Sequence, residues 1–152
     1  MKKTLLTLLL ALMPWTLQAE SPRWYVVLFV VDGCHFCEMM RERVIKPMII
    51  TGALPRQQFY EINMTRKGEW FYFDPMNAYL QKRDLYKHYD LGLFPTTVIL
   101  DDRANLIGPK LVGITTAEKF RQKLKTALDK LEKTHRSPSE ETRHAPTAHS
   151  RP

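Results

Sequence analysis

Alternating stretches of apolar and polar residues predict a small domain in which strands and helices follow one another. Residues 25–31 form a near-continuous apolar run that ends at Asp32-Gly33, which is typical of a strand buried on both faces of a sheet. A helix should follow and reach Pro47, where the missing N–H and the restricted preceding residue predict a break or kink. The alternating residues 59–64 predict a second strand.

Two signals mark the segment that follows. The consecutive aromatic residues 70–73 form either the core of their own loop, which we favour, or a substrate lip beside an active site. Asp74-Pro75 then has the form of a helix N-cap with proline at the first helical position, and Gly92 is a natural helix stop. The irregular apolar spacing between these points fits one helix, or two short helices of which the second is capped by Asp84.

The last third of the chain predicts a hairpin, a helix and a tail. Residues 96–100 and 106–112 form the hairpin, and Pro109 places its second strand at the sheet edge because proline cannot donate to a strand ladder. A capping box at 115–118 opens an amphipathic helix. Residues 134–152 have almost no large apolar side chain, which predicts a disordered tail. This order of elements predicts an α/β domain, a mixed sheet with helices on both faces.

Residues 1–19 have the organisation of a secretory signal. Two lysines precede the apolar run 4–13, and the segment ends on Ala19, a small residue suited to cleavage. We predict cleavage because the run is shorter than the roughly 20 residues of a membrane-spanning helix and is followed by Pro14. A retained membrane anchor is the alternative. The mature chain is then expected to be a single periplasmic domain, secreted across the inner membrane.

Composition narrows the possible partners and the use of the cysteines. The formal charge of +7 suggests acidic partners or a membrane surface only weakly, and the lack of a basic stripe interleaved with aromatics argues against nucleic acid. The chain has 2 cysteines. In an oxidising compartment, a single pair without further cysteines is free to cycle between dithiol and disulfide.

The two cysteines stand in the motif Cys34-His35-Phe36-Cys37, directly after the predicted buried strand. The N-terminus of a helix stabilises a thiolate, so Cys34 is predicted to attack and Cys37, one turn later, to resolve the mixed disulfide. A cationic His35 would favour the thiolate further. The carboxylate of Asp32 would oppose it if the two groups approach each other. The motif therefore predicts a thiol–disulfide redox centre.

A zinc site and a haem attachment site are the competing interpretations of this motif. Tetrahedral zinc needs four ligands, the chain has no second C-x-x-C, and the histidines other than His35 lie in a predicted helix or in the tail. Haem attachment needs histidine directly after the second cysteine, where Glu38 stands. We predict neither a metal nor another cofactor, and we interpret the tail histidines as solvated groups.

These motifs together resemble the thioredoxin-like superfamily. The resemblance rests on the C-x-x-C after a buried strand, on Phe94-Pro95-Thr96 opening the third strand, and on Gly113 before the last helix. Gly33-Cys34 and the long stretch between the second strand and second helix are most similar to exported thioredoxin-like proteins of the SoxW type. The resemblance covers residues 23–133 and implies a thioredoxin fold, a four-stranded mixed sheet with helices on both faces.

The resemblance also implies roles for residues outside the cysteine pair. It implies a cis peptide bond before Pro95, which packs against the C-x-x-C, and a backbone at Phe94 that pairs with substrate; we assign Phe36 to substrate binding as well. Thioredoxin has a buried carboxylate six residues before its first cysteine, where this chain has Leu28. Glu61 is a candidate for that proton-accepting role if it is buried, and a solvated strand residue is the equal alternative.

The expected function is that of an exported thiol–disulfide oxidoreductase. Its partners would be proteins with cysteines or disulfides, which it reduces with electrons from a membrane donor, and we expect it to act as a monomer. A disulfide-forming oxidase is one alternative, and the reduction potential separates the two. A binding module on a thioredoxin scaffold and a metal-delivery protein are the others.

Overall fold

A computed structural model describes residues 24–136 of the chain. The predicted signal 1–19 and residues 137–152 of the predicted tail lie outside this range. Within it, none of the helices combines the length and the apolar character that crossing a membrane requires.

The strands are β1 Trp24–Val30, β2 Phe59–Asn63, β3 Trp70–Phe73, β4 Ala78–Gln81, β5 Thr96–Asp101 and β6 Leu111–Val112. The domain is built on a four-stranded sheet in the order β2-β1-β5-β6. β1 is central, runs parallel to β2 and antiparallel to β5, and is buried along most of its length. β6 lies at the edge, as predicted, but it is shorter than the predicted strand 106–112 and begins after Pro109, which lies outside it.

Helices cover both faces of this sheet, which confirms the predicted fold class. The helices are α1 His35–Met40, α2 Lys46–Ile50, α3 Lys82–His88 and α4 Ala117–Arg136. Because side chains alternate along a strand, Leu28 packs on the face with Cys37 of α1 and Phe120 of α4. Its neighbour Phe29 packs on the opposite face with Leu85 of α3.

The irregularity predicted at Pro47 takes the form of a π-helical segment, Arg41–Ile45, between α1 and α2. The N–H of Lys46 donates to the carbonyl of Arg41, five residues earlier, in place of the usual four. The helix does not break at Pro47 and continues to Ile50. The chain after the cysteines is therefore a single helical element with a widened turn in its middle.

The prediction that a helix begins at Asp74 is wrong. Asp74–Met76 is a single 3₁₀ turn, and Asn77, with φ 48°, closes it in the left-handed region. The turn joins the antiparallel strands β3 and β4, in which Phe73 pairs with Ala78. Aromatic residues favour strands, and the alternation that buries Phe73 while leaving its neighbours more exposed outweighs the helix-start signal.

The remaining helices differ from the prediction at their ends. α3 corresponds to the second of the two short helices, but it begins at Lys82, so that Asp84 lies in its first turn and is not its cap. α4 is capped by Thr116, whose hydroxyl accepts from the Lys119 N–H at 3.2 Å. It continues to Arg136, so residues 134–136 of the predicted tail are helical.

Candidate active site

A disulfide joins Cys34 and Cys37 where β1 leads into α1. Gly33, with φ +68°, turns the chain from strand to helix, a conformation that an L side chain adopts only with strain. Cys34 is the N-cap of α1, and the two Cα atoms are 5.2 Å apart. The local signals of the motif therefore place both sulfurs within bonding distance.

The start of α1 directs backbone donors at Cys34. The N–H of Cys37 donates to Cys34 Sγ at 3.1 Å, and the N–H groups of Cys37 and Glu38 donate to the Cys34 carbonyl at 3.0 and 3.2 Å. Donors at a helix N-terminus stabilise negative charge on sulfur once the disulfide is reduced. Cys34 is half-buried while Cys37 is fully buried. A substrate can therefore reach Cys34 and not Cys37, which supports their predicted order of action.

The two residues between the cysteines are both exposed. The ring of His35 lies edge-on to that of Phe36, with centroids 5.9 Å apart, and Phe36 is 54% exposed. Phe36 thus presents an apolar ring to solvent beside the accessible sulfur. Its exposure is compatible with the predicted role in substrate binding.

Asp32 is held by residues at the end of β2. Its carboxylate accepts from Asn63 Nδ2 at 2.5 Å, and its N–H donates to Thr65 Oγ1 at 2.8 Å. Asn63 Oδ1 in turn accepts from the Thr65 N–H at 2.9 Å. These three residues form a hydrogen-bonded network that was not expected from the sequence, because it joins positions far apart in the chain.

Pro95 lies at the same end of the sheet as the cysteines. The Phe94–Pro95 bond is cis, and the buried Pro95 accepts a hydrogen bond at its carbonyl from the Gly113 N–H at 2.8 Å. Thr96 is opposite Phe29 in the register of β5 and β1, which places Pro95 beside the residues that lead into Cys34. Phe94 and Cys34 both pack against the same buried cluster.

Of the two alternatives for Glu61, the structure excludes the buried one. Glu61 is the register partner of Leu28, so it lies on the sheet face that α1 covers, but β2 is an edge strand and leaves it exposed. Its Oε2 is 2.7 Å from Arg41 Nε. The structure thus matches the alternative of a solvated strand residue, and no aspartate or glutamate within residues 24–136 is buried.

Two further polar features near α1 were missed in the sequence. Arg41, which pairs with Glu61, carries only the general signal of a charged helical residue. Thr97 is the register partner of Leu28 on β5, is fully buried, and its Oγ1 has no hydrogen-bond partner within residues 24–136. No sequence signal distinguishes Thr97 from its buried neighbours.

Glu61→Gln is expected to leave the rate of disulfide reduction within about twofold of wild type, because an exposed ion pair contributes little. The pH dependence of the rate should also be unchanged, since a solvated carboxylate does not act as the internal proton acceptor of Cys37. Steady-state insulin reduction between pH 5 and 9 measures both. A Glu61→Gln rate far below that of wild type, or a changed shape of the pH profile, would show that Glu61 does exchange the proton.

Within residues 24–136 there is no group of three or more His, Cys, Asp and Glu side chains that could hold a metal ion.

A family model for the thioredoxin-like domain matches residues 16–128 of the chain. The chain belongs to the thioredoxin-like family. The C-x-x-C disulfide within this thioredoxin fold makes the protein a thiol–disulfide oxidoreductase. No curated protein matches the chain.

Solved structures resemble this thioredoxin-like domain. A thioredoxin-fold protein from Helicobacter pylori has a TM-score of 0.57 at 16% identity, over 79% of this chain and 76% of that one. The reduced C-terminal domain of DsbD from Neisseria meningitidis has a TM-score of 0.51 at 20% identity, over 80% and 96%. Its oxidised form has a TM-score of 0.50 at 20% identity, over 69% and 80%. At these identities the likeness concerns the fold.

Proposed function

We propose that this thioredoxin-like protein is exported to the periplasm and reduces disulfides of particular partner proteins there. The observation that carries the proposal is the asymmetry of the pair, a reachable Cys34 at a helix N-terminus with Cys37 buried behind it. The signal-like residues 1–19 support export. We further propose that the protein is a monomer of the SoxW type, and that a membrane protein supplies the electrons that reduce its disulfide again after each turnover.

The first chemical step forms a mixed disulfide. The Cys34 thiolate attacks one sulfur of the client disulfide, a bond forms between Cys34 and that sulfur, and the other client sulfur leaves as a thiolate. The Cys37 N–H and the N-terminal end of α1 already point at the Cys34 sulfur, so they stabilise the attacking thiolate without a change in structure. The client thiolate takes a proton from solvent.

The second step releases the client. Cys37 loses its proton, attacks Cys34 Sγ, and expels the second client sulfur as a thiolate. The products are a Cys34–Cys37 disulfide and a client dithiol, so two electrons pass to the client. A dithiol donor then attacks the Cys34–Cys37 disulfide by the same two steps and becomes oxidised itself. We propose that this donor is membrane-bound.

Exposed apolar side chains beside Cys34 give a client polypeptide a surface to bind. Phe36 lies between the cysteines, and Leu93, 68% exposed, lies two residues before Pro95. We propose that a client chain lies along Phe94 and Pro95 and covers both exposed side chains, with its disulfide over Cys34.

Phe36→Ser is expected to raise KM for a protein disulfide by about fivefold to tenfold, because the apolar contact of the ring with the client is lost. Reduction of a small aromatic disulfide, which does not extend over Phe36, should be nearly unchanged. Ile50→Ser is the matched control, because Ile50 is 76% exposed on another part of the domain. Equal effects on both substrates would show that Phe36 acts on the sulfur chemistry and not on binding.

The reduction potential tests the direction of electron flow. Equilibration with thiol buffers, read by alkylation of free thiols, is expected to place the couple near that of thioredoxin, about −270 mV. A value near about −120 mV, typical of a strong periplasmic oxidant, would reverse the proposal to a disulfide-forming oxidase.

Cell fractionation with mass analysis of the N-terminus tests export, and protein that stays in the cytoplasm with residues 1–19 attached would contradict it.

A further inference from the structure

The hairpin of β3 and β4 exposes aromatic side chains on its outer face. Trp70 is 62% exposed, Tyr72 44% and Tyr79 71%. Tyr72 and Tyr79 are register partners with ring centroids 5.2 Å apart, and Trp70, two residues before Tyr72, lies on the same face. We call Trp70, Tyr72 and Tyr79 the aromatic face. Exposed aromatic groups of this kind mark interaction sites.

The inner face of the same hairpin serves packing. Phe73 is buried and Phe71 half-buried, and both belong to the cluster that covers the second face of the sheet. The inner aromatics therefore fix the hairpin on the domain. The aromatic face is left without an intramolecular function in folding the core.

Cationic side chains surround the base of the hairpin. Arg66, Lys67 and Arg83 are exposed, and the Arg83 N–H donates to the Lys67 carbonyl at 2.7 Å, which brings the two chain segments together. We call these three residues the basic base. Glu69 forms an ion pair with Lys82, and the carboxylate of Asp84 lies 3.9 Å from Arg83 Nε, so part of this positive charge is compensated. The basic base therefore lies next to Trp70, both along the chain and across the hairpin.

The basic base lies at the active-site end of the sheet. β1 and β2 are parallel, so the end of β2 lies beside the residues that lead into Cys34. The Met64 N–H donates to the Val30 carbonyl at 2.7 Å. The next residue, Thr65, contacts Asp32 and is followed directly by Arg66. A surface bound at the hairpin would lie near the end of the domain that carries the cysteines.

We propose that the aromatic face and the basic base together bind the surface of an anionic phospholipid bilayer. Tryptophan and tyrosine are the residues that membrane proteins place at the headgroup level, because their rings are apolar and their N–H or O–H groups remain hydrated. Adjacent arginine and lysine side chains are attracted to anionic headgroups. This inference goes beyond the redox function and does not depend on the direction of electron flow.

Cosedimentation of the purified protein with vesicles tests the proposal, with the N-terminus left as the cell delivers it. Vesicles of phosphatidylglycerol and phosphatidylcholine are compared with vesicles of phosphatidylcholine alone. Arg66→Glu with Lys67→Glu is expected to weaken binding to the anionic vesicles by at least about tenfold. Trp70→Ser with Tyr79→Ser is expected to weaken it by about tenfold. Lys123→Glu with Lys130→Glu on α4 is the matched charge control and should retain most of the binding, as both lysines are exposed elsewhere.

Fluorescence gives a second measurement. Trp24 is buried, so a blue shift of emission on adding anionic vesicles that disappears in Trp70→Ser reports insertion of Trp70 itself. Reduction of a small aromatic disulfide by each variant confirms that it is folded. The proposal is overturned if wild-type protein does not bind the anionic vesicles, or if the α4 control loses binding as fully as the hairpin variants. It is also overturned if the hairpin variants bind vesicles normally. If those variants also lose reduction of a client protein, the hairpin is a polypeptide-binding surface instead.

Discussion

Cys34→Ser is expected to lower insulin reduction to the background rate of the thiol reagent alone. The serine hydroxyl is not ionised near neutral pH, so the donors at the start of α1 have no sulfur anion to stabilise. Cys37→Ser is expected to lose turnover as well, but for a different reason. Its Cys34 thiolate still attacks, and the mixed disulfide then accumulates because no resolving thiolate is present.

Gel electrophoresis without reducing agent separates the two variants. Cys37→Ser should give covalent complexes that a thiol reagent dissolves, whereas Cys34→Ser should give far fewer, because Cys37 is fully buried. Equal activity of wild type and Cys34→Ser would remove the enzymatic function and leave a binding module. Complexes formed mainly by Cys34→Ser would reverse the assigned roles of the two cysteines.

The same Cys37→Ser variant identifies the partners when it is expressed in the cell. Exported clients should be recovered as mixed disulfides, and mass spectrometry of the released proteins names them. The double variant Cys34→Ser with Cys37→Ser is the control for proteins that adhere without a covalent bond. Recovery of exclusively cytoplasmic proteins would contradict the proposed compartment.

The redox centre could be predicted from the sequence because its determinants are local. Residues 25–31 specify a strand through their composition, Gly33 permits the turn, and the spacing of Cys34 and Cys37 brings two sulfurs to one helical turn. Each of these signals acts within a few residues. The mixed sheet with helices on both faces followed from the order of such elements, and its four-stranded thioredoxin form was implied by the family resemblance.

The hairpin at residues 70–81 could not be predicted by the same means. Asp74-Pro75 starts a helix or a tight turn equally well, and the choice depends on what packs against the residues on either side. In the fold, Phe71 and Phe73 contact the second face of the sheet, which requires a strand on this side of the turn. Tertiary packing therefore determined the local structure.

The position of Glu61 shows a different limit. Its place in β2 and its register opposite Leu28 put it on the face that α1 covers, where a buried carboxylate was conceivable. Burial, however, depends on the order of strands, and β2 lies at the edge of the sheet. Strand order is a long-range property, so the sequence left the buried and solvated alternatives equal.

Leu28→Ala is expected to lower the free energy of unfolding by about 2–5 kcal/mol, a large part of the stability of a single domain. Leu28 is fully buried and belongs to the cluster that contains Cys37 and Met40, so its removal leaves a cavity beneath the active-site helix. The midpoint of thermal unfolding should fall by about 10 °C or more. Urea unfolding of the reduced and the oxidised protein measures the loss in both states.

Thr97→Val is the matched control because Thr97 faces Leu28 in the register of β1 and β5 and is equally buried. Valine has nearly the shape of threonine, and the hydroxyl that it removes has no partner within residues 24–136, so stability should be unchanged or higher. A Thr97→Val protein that is stable but slow in the resolving step would indicate that the hydroxyl acts on the Cys37 sulfur in the reduced state. Equal destabilisation by both substitutions would contradict the packing argument, because the contribution of Leu28 would then not arise from its apolar volume.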